Sequence, residues 1–566
     1  MIGSTESKVA WMGRVSEASE RGLGLMVVMV VVLLLWTLTA KPASAATFTV
    51  DRMDDQPGTT PVFTPCTDAP NDCSLRWAIG ESTSNGQTDT IDFAPGVRGT
   101  ITLGAEQLAV ANDSPAADLI IDGPGSGSLA VSGNNASRIF EMASGANATI
   151  NGLTIRDGKV TGSPFGGGIY NGGDLTLNNT VVNSNTADSA GGGIYSSGTL
   201  TLTNSTVSAN KSIATLGGGI FNNSGTLTLD NTGVSGNKAN NGGGIRNAAN
   251  ATLSLTDSSI RGNNSNNDGG GVLNDGKATL KDSTVSGNSA AINGGGIDSG
   301  SDLTLTNSTV SGNTADDKGG GIANGGSLRS TNTTVSANIA TGGDPDSAAG
   351  GIYNGGSSAS LRNTIVARNS APVAPDATGT AFTSEGNNLI GSTDGAAGFG
   401  ASDLLDKNPV LGPLSDNGGP TKTQALLQGS PAIDRGTNIG CPPADQRGKA
   451  RKDGDANGTV RCDIGAFEAA NTEPAITNPK PAPGSNTRDR TPLIATTVRD
   501  AQTNLAKNNI KLFIDGNSKS AFSYDRSKDR LSYTSGRLSF GGHTVKIVAK
   551  EGVNTTNKSW SFKVVR

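Results

Sequence analysis

Between Gly166 and Asn369 the apolar residues alternate with polar ones over short stretches, as in Leu200-Thr201-Leu202, and glycine, asparagine and serine separate the stretches. Such alternation puts both leucines on one face of a strand and the threonine on the other. The stretches recur as a unit. Gly-Gly-Gly plus an apolar residue returns at Ile169, Ile194, Ile220, Ile245, Val272, Ile297 and Ile322, with a looser copy at Ile352. The spacings are 25, 26, 25, 27, 25, 25 and 30 residues. One unit, Gly217 to Lys238, reads GGGIFNNSGTLTLDNTGVSGNK and contains three strand-like pieces of the forms GGGIxN, LTLxN and STVSxN. A lone unit cannot bury its own apolar face, so the units must stack as coils whose parallel strands lie about 4.8 Å apart. The pattern predicts an all-β fold, a right-handed parallel β-helix of triangular coils over 101–386.

The polar columns of the repeat follow from the same stacking. Asn185, Asn210, Asn237, Asn263, Asn288, Asn313, Asn338 and Asn369 fall at one corner, where asparagine tolerates a left-handed turn and stacked amides can bond to one another. The residue after each GGGI isoleucine should point outward. On successive coils it is Tyr170, Tyr195 and Phe221, then Arg246 and Leu273. Three exposed rings in a row form a candidate binding strip for a sugar face or a protein partner. Self-stacking that stabilises the sheet is the competing role. A second column, Thr176, Thr201, Thr228, Ser254, Thr279 and Thr304, ends at Arg329 and fits β-propensity and solubility. Asp298, Asp302, Asp316 and Asp317 lie on adjacent coils but in different columns, and read as turn residues.

Two regions flank the repeats. Residues 46–100 form a candidate N-terminal cap, in which Cys73-Ser-Leu-Arg-Trp-Ala-Ile-Gly-Glu81 sets Leu75, Ala78 and Ile79 on one face of a short helix behind Ser74. Weaker coils follow around Ile101–Leu103, Leu119–Ile121 and Thr149–Ile155. Residues 387–468 form a candidate C-terminal cap. Within it, Asp453-Gly-Asp455-Ala-Asn457-Gly458 imitates the start of a calcium loop, but position twelve is Ile464 where such loops carry a bidentate acid. Asp453, Asp455 and Asn457 are therefore a weak calcium candidate, against a plain polar turn. Residues 469–485 are proline-rich and polar, a linker. Runs at Thr491–Val498, Ile510–Asp515, Leu531–Thr534, His543–Lys550 and Trp560–Val565 predict a small β-sandwich over 486–566.

Charge and composition narrow the chemistry. The net charge is only −5 and glycine contributes 80 residues, which fits repetitive β-structure better than disorder. His543 is the only histidine. A Ser-His-Asp triad would have to use it, and no metal site could draw on two histidines. From residue 471 onward there are 16 Lys and Arg against 7 Asp and Glu, a surplus of nine positive charges that leaves −14 on the rest. That asymmetry suits either a solvated surface or contact with an anionic wall polymer. At the other end, Lys8, Arg14 and Arg21 precede an uncharged run from Leu23 to Leu38 and the small-residue site Ala43-Ser-Ala45. This reads as a signal peptide over 1–45. A retained anchor is the alternative, although 16 residues is short for a span. In an exported chain the close pairs Cys66/Cys73 and Cys441/Cys462 read as two local disulfides.

These motifs carry four resemblances. GGGI with a VxxN corner is similar to the GGA[ILV] and FxxN repeats of chlamydial polymorphic outer membrane proteins, which implies a right-handed parallel β-helix of the pectin-lyase-like class over Gly166 to Asn369. The sequence departs from those proteins in that no stretch after the repeats resembles an autotransporter barrel. The Cys73–Glu81 segment resembles the CSLREA domain of exported bacterial β-helix proteins, with Trp77 in place of its glutamate. NPVLGPLSDNGGPTKTQALLQGSPAIDRG, DQRG and CDIGAFE resemble the choice-of-anchor Q region of the same proteins. The last domain resembles a bacterial immunoglobulin-like domain. The outward positions of the repeat are mostly Thr, Ser and Gly, a uniformity that leaves little room for a unique catalytic site. The expected protein is therefore secreted or cell-surface, non-catalytic and without a cofactor, for adhesion, envelope architecture or glycan binding. Its expected partners are an extracellular glycan or anionic cell-wall polymer, with no nucleic acid and no membrane span after cleavage. The alternative is a polysaccharide lyase or glycoside hydrolase, which the same class also contains.

Overall fold

The computed structural model describes residues 45–55, 66, 71–82, 87–104, 106–111, 118–162, 164–342, 348–451, 461–469, 474–500, 505–551 and 554–566. The leader read over 1–45, apart from Ala45, and the calcium candidates Asp453, Asp455 and Asn457 lie outside the described residues.

The repeats form a parallel β-solenoid. Each regular coil contains four strands, not the expected three: Ile194–Ser196, Thr199–Thr203, Thr206–Ser208 and Lys211–Ser212 in one coil. The fourth has two residues, too few to show alternation in the sequence. Every strand pairs in parallel with its equivalent on the next coil: Ile194 with Ile220, Leu200 with Leu227, Val207 with Val234 and Lys211 with Lys238. Among the described residues the four sheets hold 11, 13, 13 and 8 strands. Ile194, Leu200, Leu202 and Val207 are fully buried, and one apolar core runs from Val50 to Ile390.

Left-handed backbone turns the corners, at Gly191 (φ 68°), Asn204 (φ 51°) and Ala209 (φ 54°) in this coil. Gly192 is required for another reason. A Cβ there would lie 2.4 Å from the Gly218 carbonyl oxygen of the next coil. The GGG triplets therefore mark where two coils approach backbone to backbone.

The expected asparagine corner is a continuous buried ladder. Each Oδ1 accepts both the backbone N–H and the side-chain amide of the preceding asparagine. From Asn185 to Asn338 the backbone bonds are 2.9–3.0 Å and the amide bonds 2.9–3.0 Å. The amide also donates to a carbonyl one coil back, as Asn288 does to Ile260 at 3.0 Å. Asp376 ends the ladder by accepting from Asn369 N–H and Nδ2, at 3.0 and 2.9 Å. Two further ladders run beside it. Asn171, Ser196, Asn222, Asn247, Asn274, Ser299, Asn324 and Asn354 are all fully buried; side-chain bonds such as Asn247 Nδ2 to Asn274 Oδ1 at 2.8 Å link the column in runs, which break after Ser196 and Ser299 because those hydroxyls donate to the Gly198 and Ser301 carbonyls instead. In the third, the hydroxyl of Ser205 accepts from the Thr180 N–H, that of Thr232 from Ser205, and that of Ser258 from Thr232.

At the N-terminal end the helix Leu75–Ser82 forms as expected. Ser74 Oγ accepts the Trp77 N–H at 3.3 Å, and Leu75, Ala78 and Ile79 join the solenoid core. The C-terminal region differs from an end cap. Its first part completes the last coils with Leu389–Ile390 and Leu404–Leu405. The rest folds back along the outside of the sheet that contains Thr284, Thr309 and Thr334. Gln446 bonds Thr309 Oγ1 at 2.6 Å and Thr284 Oγ1 at 2.8 Å, and Thr334 Oγ1 accepts the Ala466 N–H. Leu411, Ile433, Ile464 and Phe467 cover Ile365, Ala367 and Leu389. Disulfides join Cys66 to Cys73 and Cys441 to Cys462. No helix among the described residues is long and apolar enough to cross a membrane.

The last domain is a small two-sheet β-sandwich. The stretch read as linker contributes its first strand, Ala475–Lys480, which pairs with Leu493–Arg499. Val498, Leu512, Leu531, Ile547 and Trp560 share its core. Buried His543 lies with Nδ1 2.6 Å from the Asp515 carboxylate and Nε2 2.9 Å from the Ser539 carbonyl oxygen. Both neighbours are acceptors, so the ring needs both protons. Burial alone would lower its pKa, but the Asp515 and Ser539 bonds outweigh that and raise it. Asp515 moves the opposite way: burial pushes it up, but the His543 bond and the Thr544 N–H bring it below the ordinary range.

Two outcomes follow. Asn288→Ala, which leaves the Asn263 N–H and the Ile260 carbonyl without their partner, should lower unfolding free energy in urea by about 3 kcal/mol. Thr279→Ala on the outer face should change it by less than about 0.5 kcal/mol, and equal effects would contradict the ladder's role. The His543–Asp515 pair should stabilise most between roughly pH 4 and 6.5, the unfolded values of the two groups. The histidine contribution fades as pH rises through its raised value, and the aspartate contribution as pH falls through its lowered one. His543→Gln should therefore lower the sandwich's unfolding temperature more at pH 6 than at pH 9; the same loss at both sinks this account.

Candidate functional site

The column after the GGGI isoleucines is in register from coil to coil: Glu141, Tyr170, Tyr195, Phe221, Arg246, Leu273, Asp298 and Ala323. The rings stack as the strand spacing requires. Tyr170 and Tyr195 are 5.2 Å apart and nearly parallel, and Phe221 meets Tyr195 edge-on at 5.4 Å. The expected exposure is not found. Tyr195 is 7% exposed and Phe221 6%, packed among Ala190, Leu216 and Ala248. Phe165 covers Tyr195 with a ring contact of 4.7 Å and is itself the exposed ring of the group. Tyr170, Tyr195 and Phe221 are thus a covered cluster, with Phe165 and the edge of Tyr170 at its surface.

The cluster continues into a cleft that the sequence did not mark. Arg138 is nearly buried and its guanidinium sits 5.3 Å from the Tyr170 ring centre. It donates to Gly166 O, Phe165 O, Gln107 Oε1 and Glu141, at 2.7–3.2 Å. Burial lowers its pKa, although the Glu141 charge opposes this. Beyond it a cavity of about 700 Å³ opens between Glu106, Gln107, Ser137, Lys159 and Pro164. The cap builds one wall. Arg76 pairs with Asp55 at 2.6 Å and donates to the Gln107 and Glu106 carbonyls at 2.7 Å each. The arginine of the CSLR segment therefore holds the 106–107 loop. These residues come from irregular coils, where no repeat flags them. Arg76 is the single sequence feature that could have pointed there.

Other charged groups sort differently. Asp298 and Asp302 belong to strands, not turns, while Asp316 and Asp317 do lie in a bend. Burial, with Asp268 and Asp275 nearby, pushes Asp298 up to about 7, and Arg246 bonds Asp275. In the returning segment Arg447 clamps Asp445 and lies 3.6 Å from the Phe467 ring centre, while Arg451 pairs with Glu468 at 2.7 Å. Asp463 accepts the Asp434 and Ala469 N–H groups; burial and the Glu468 charge raise it well above the ordinary range. DQRG and CDIGAFE thus form one internal polar staple in which Asp445, Gln446, Asp463 and Glu468 are buried. In the sandwich, Lys507, Lys511 and Lys519 line a cavity of about 650 Å³ beside Phe513 and Phe522. No group of three or more His, Cys, Asp and Glu side chains among the described residues is placed to hold a metal ion.

Because the strip is covered, Tyr195→Ser should cost about 2–3 kcal/mol in urea unfolding, whereas Phe165→Ser should cost less than about 1 kcal/mol. A neutral Tyr195→Ser would contradict the packing. Set beside known proteins, the chain matches no protein-family model and no curated protein.

Proposed function

We propose that this chain is an exported, non-catalytic rod of the cell surface or extracellular space that binds glycan through the cleft of its first coils, with Phe165 and the edge of Tyr170 at its margin. One observation carries the reading: a polar cleft lined by Pro164, with the exposed ring of Phe165 next in the chain, on a rod whose repeated amides and hydroxyls are occupied by neighbouring coils. Sugar rings offer hydroxyl edges for polar walls and apolar faces for aromatic ones. The resemblances support it. Repeats similar to those of polymorphic outer membrane proteins, a CSLREA-like cap, a choice-of-anchor Q-like return and a bacterial immunoglobulin-like sandwich belong together in exported bacterial β-helix proteins. Two disulfides suit the same compartment. The lysine-lined cavity of the sandwich would hold the rod to an anionic wall polymer.

A hydrolase is the second reading, and one observation favours it. Asp298, raised to about 7 by burial, neighbours Asp275, which Arg246 bonds; a buried carboxyl beside a second, ion-paired one is a pairing that a hydrolase could use. Asp298 lies in a strand column between Leu273 and Ala323, away from the cleft at Lys159. The test pairs a glycan array with an assay for reducing-sugar and unsaturated-product release. Binding without product release is expected. Release that Asp298→Asn abolishes would replace the binding reading by the hydrolase.

A further inference from the structure

The cleft's chemistry is more specific than glycan binding in general. Lys159 starts the two-residue strand Lys159–Val160, pairs in register with Thr186 and through it with Lys211, and lies beside the cavity with no ion pair among the described residues. Gln107, also on the lining, turns its Oε1 to Arg138 at 2.7 Å. Its amide N–H groups are thereby left as donors on the wall. Ser137 adds a hydroxyl that is buried without a partner in the fold. Arg138 itself is held on every side by carbonyls, Gln107 and Glu141, so it fixes the wall and keeps its charge nearby. Glu106 stands at the rim as an acceptor, and Pro164 gives an apolar surface.

A ligand that fits this set carries an anionic group for the ammonium and the amide donors. It carries hydroxyls for the carboxylate at the rim, and an apolar ring face for the proline. We infer that the cleft between Gln107, Lys159 and Glu106 binds a uronic-acid residue of an acidic oligosaccharide, with the sugar carboxylate at Lys159. This rests on the glycan-binding reading and names its ligand class. The ammonium supplies the charge-assisted bond, and a neutral hexose cannot replace the carboxylate that it needs. The built wall matters as well. Arg76, Asp55 and Arg138 hold the 106–107 loop before any ligand arrives, so little ordering opposes binding.

Calorimetric titration of the full-length chain tests this with uronate-containing tetrasaccharides and their carboxyl-reduced counterparts. The uronate forms should bind, and the reduced forms at least tenfold more weakly. Lys159→Gln should weaken uronate binding about tenfold, Lys159→Arg should largely keep it, and Lys211→Gln, on the same column two coils away, should change nothing. If the reduced forms bind equally well, or Lys159→Gln binds as the parent does, the cleft is not the uronate site while glycan binding stands. If the parent binds no saccharide in either form, both readings fall.

Discussion

The side-chain amides that the solenoid buries at its main corner find their partners on the two adjacent coils. The solenoid interior has no water to offer, and a buried amide without a partner costs more than the bond returns. The Asn185–Asn338 ladder meets this constraint by giving each asparagine one acceptor and three donors that match its neighbours on both sides. Much of the repeat follows from it. The corner must be asparagine because its side chain has to both accept and donate. The residue before it must take a left-handed turn, and the GGG triplet must be bare because two backbones meet there. Ends are the places where the ladder lacks a neighbour, and Asp376 closes one with a carboxylate that only accepts, as the last position requires.

The same constraint decides where function has room. A column that serves the next coil cannot change without harming its neighbours, so the regular coils repeat one another. Variation gathers where the repeat is loose, between Gly99 and Phe165. There side chains answer to local partners and a cavity forms. The cap takes part in this. Arg76 is oriented by Asp55 and reaches the loop at the cleft wall, so the motif that seals the end of the rod also shapes the nearby surface. The returning segment does the converse at the other end. It covers Thr309, Thr334 and Ser336 with Gln446, Ala466 and Gln424, removing that face from contact with solvent.

The repeat, its register and the amide stacking of the asparagine column were legible because period two and the 25-residue recurrence are properties of single positions, whereas the left-handed turn expected of those asparagines falls on the residue before each, as at Ser184 and Ala209. The helix at Leu75–Ser82 was legible from its spacing. Four things were not. The two-residue strand is shorter than any period. The buried Asn171–Asn354 column looks like ordinary turn residues until the coils are stacked. The covering of Tyr195 depends on Phe165 and Leu216, which approach it only through the fold. The path of the region after 408 along the side of the rod arises from long-range bonds such as Gln446 to Thr284. Each is a property of contacts between distant positions, and the cleft belongs with them.

Hydrogen–deuterium exchange of the intact chain tests the ladder account most directly. The backbone amides of Asn210, Asn237, Asn263, Asn288 and Asn313, each bonded to a side chain rather than to a strand partner, should exchange as slowly as those of the buried strand residues Leu227 and Leu253. Corner amides that exchange within seconds, while the strands remain protected, would show that the ladder does not hold the coils together.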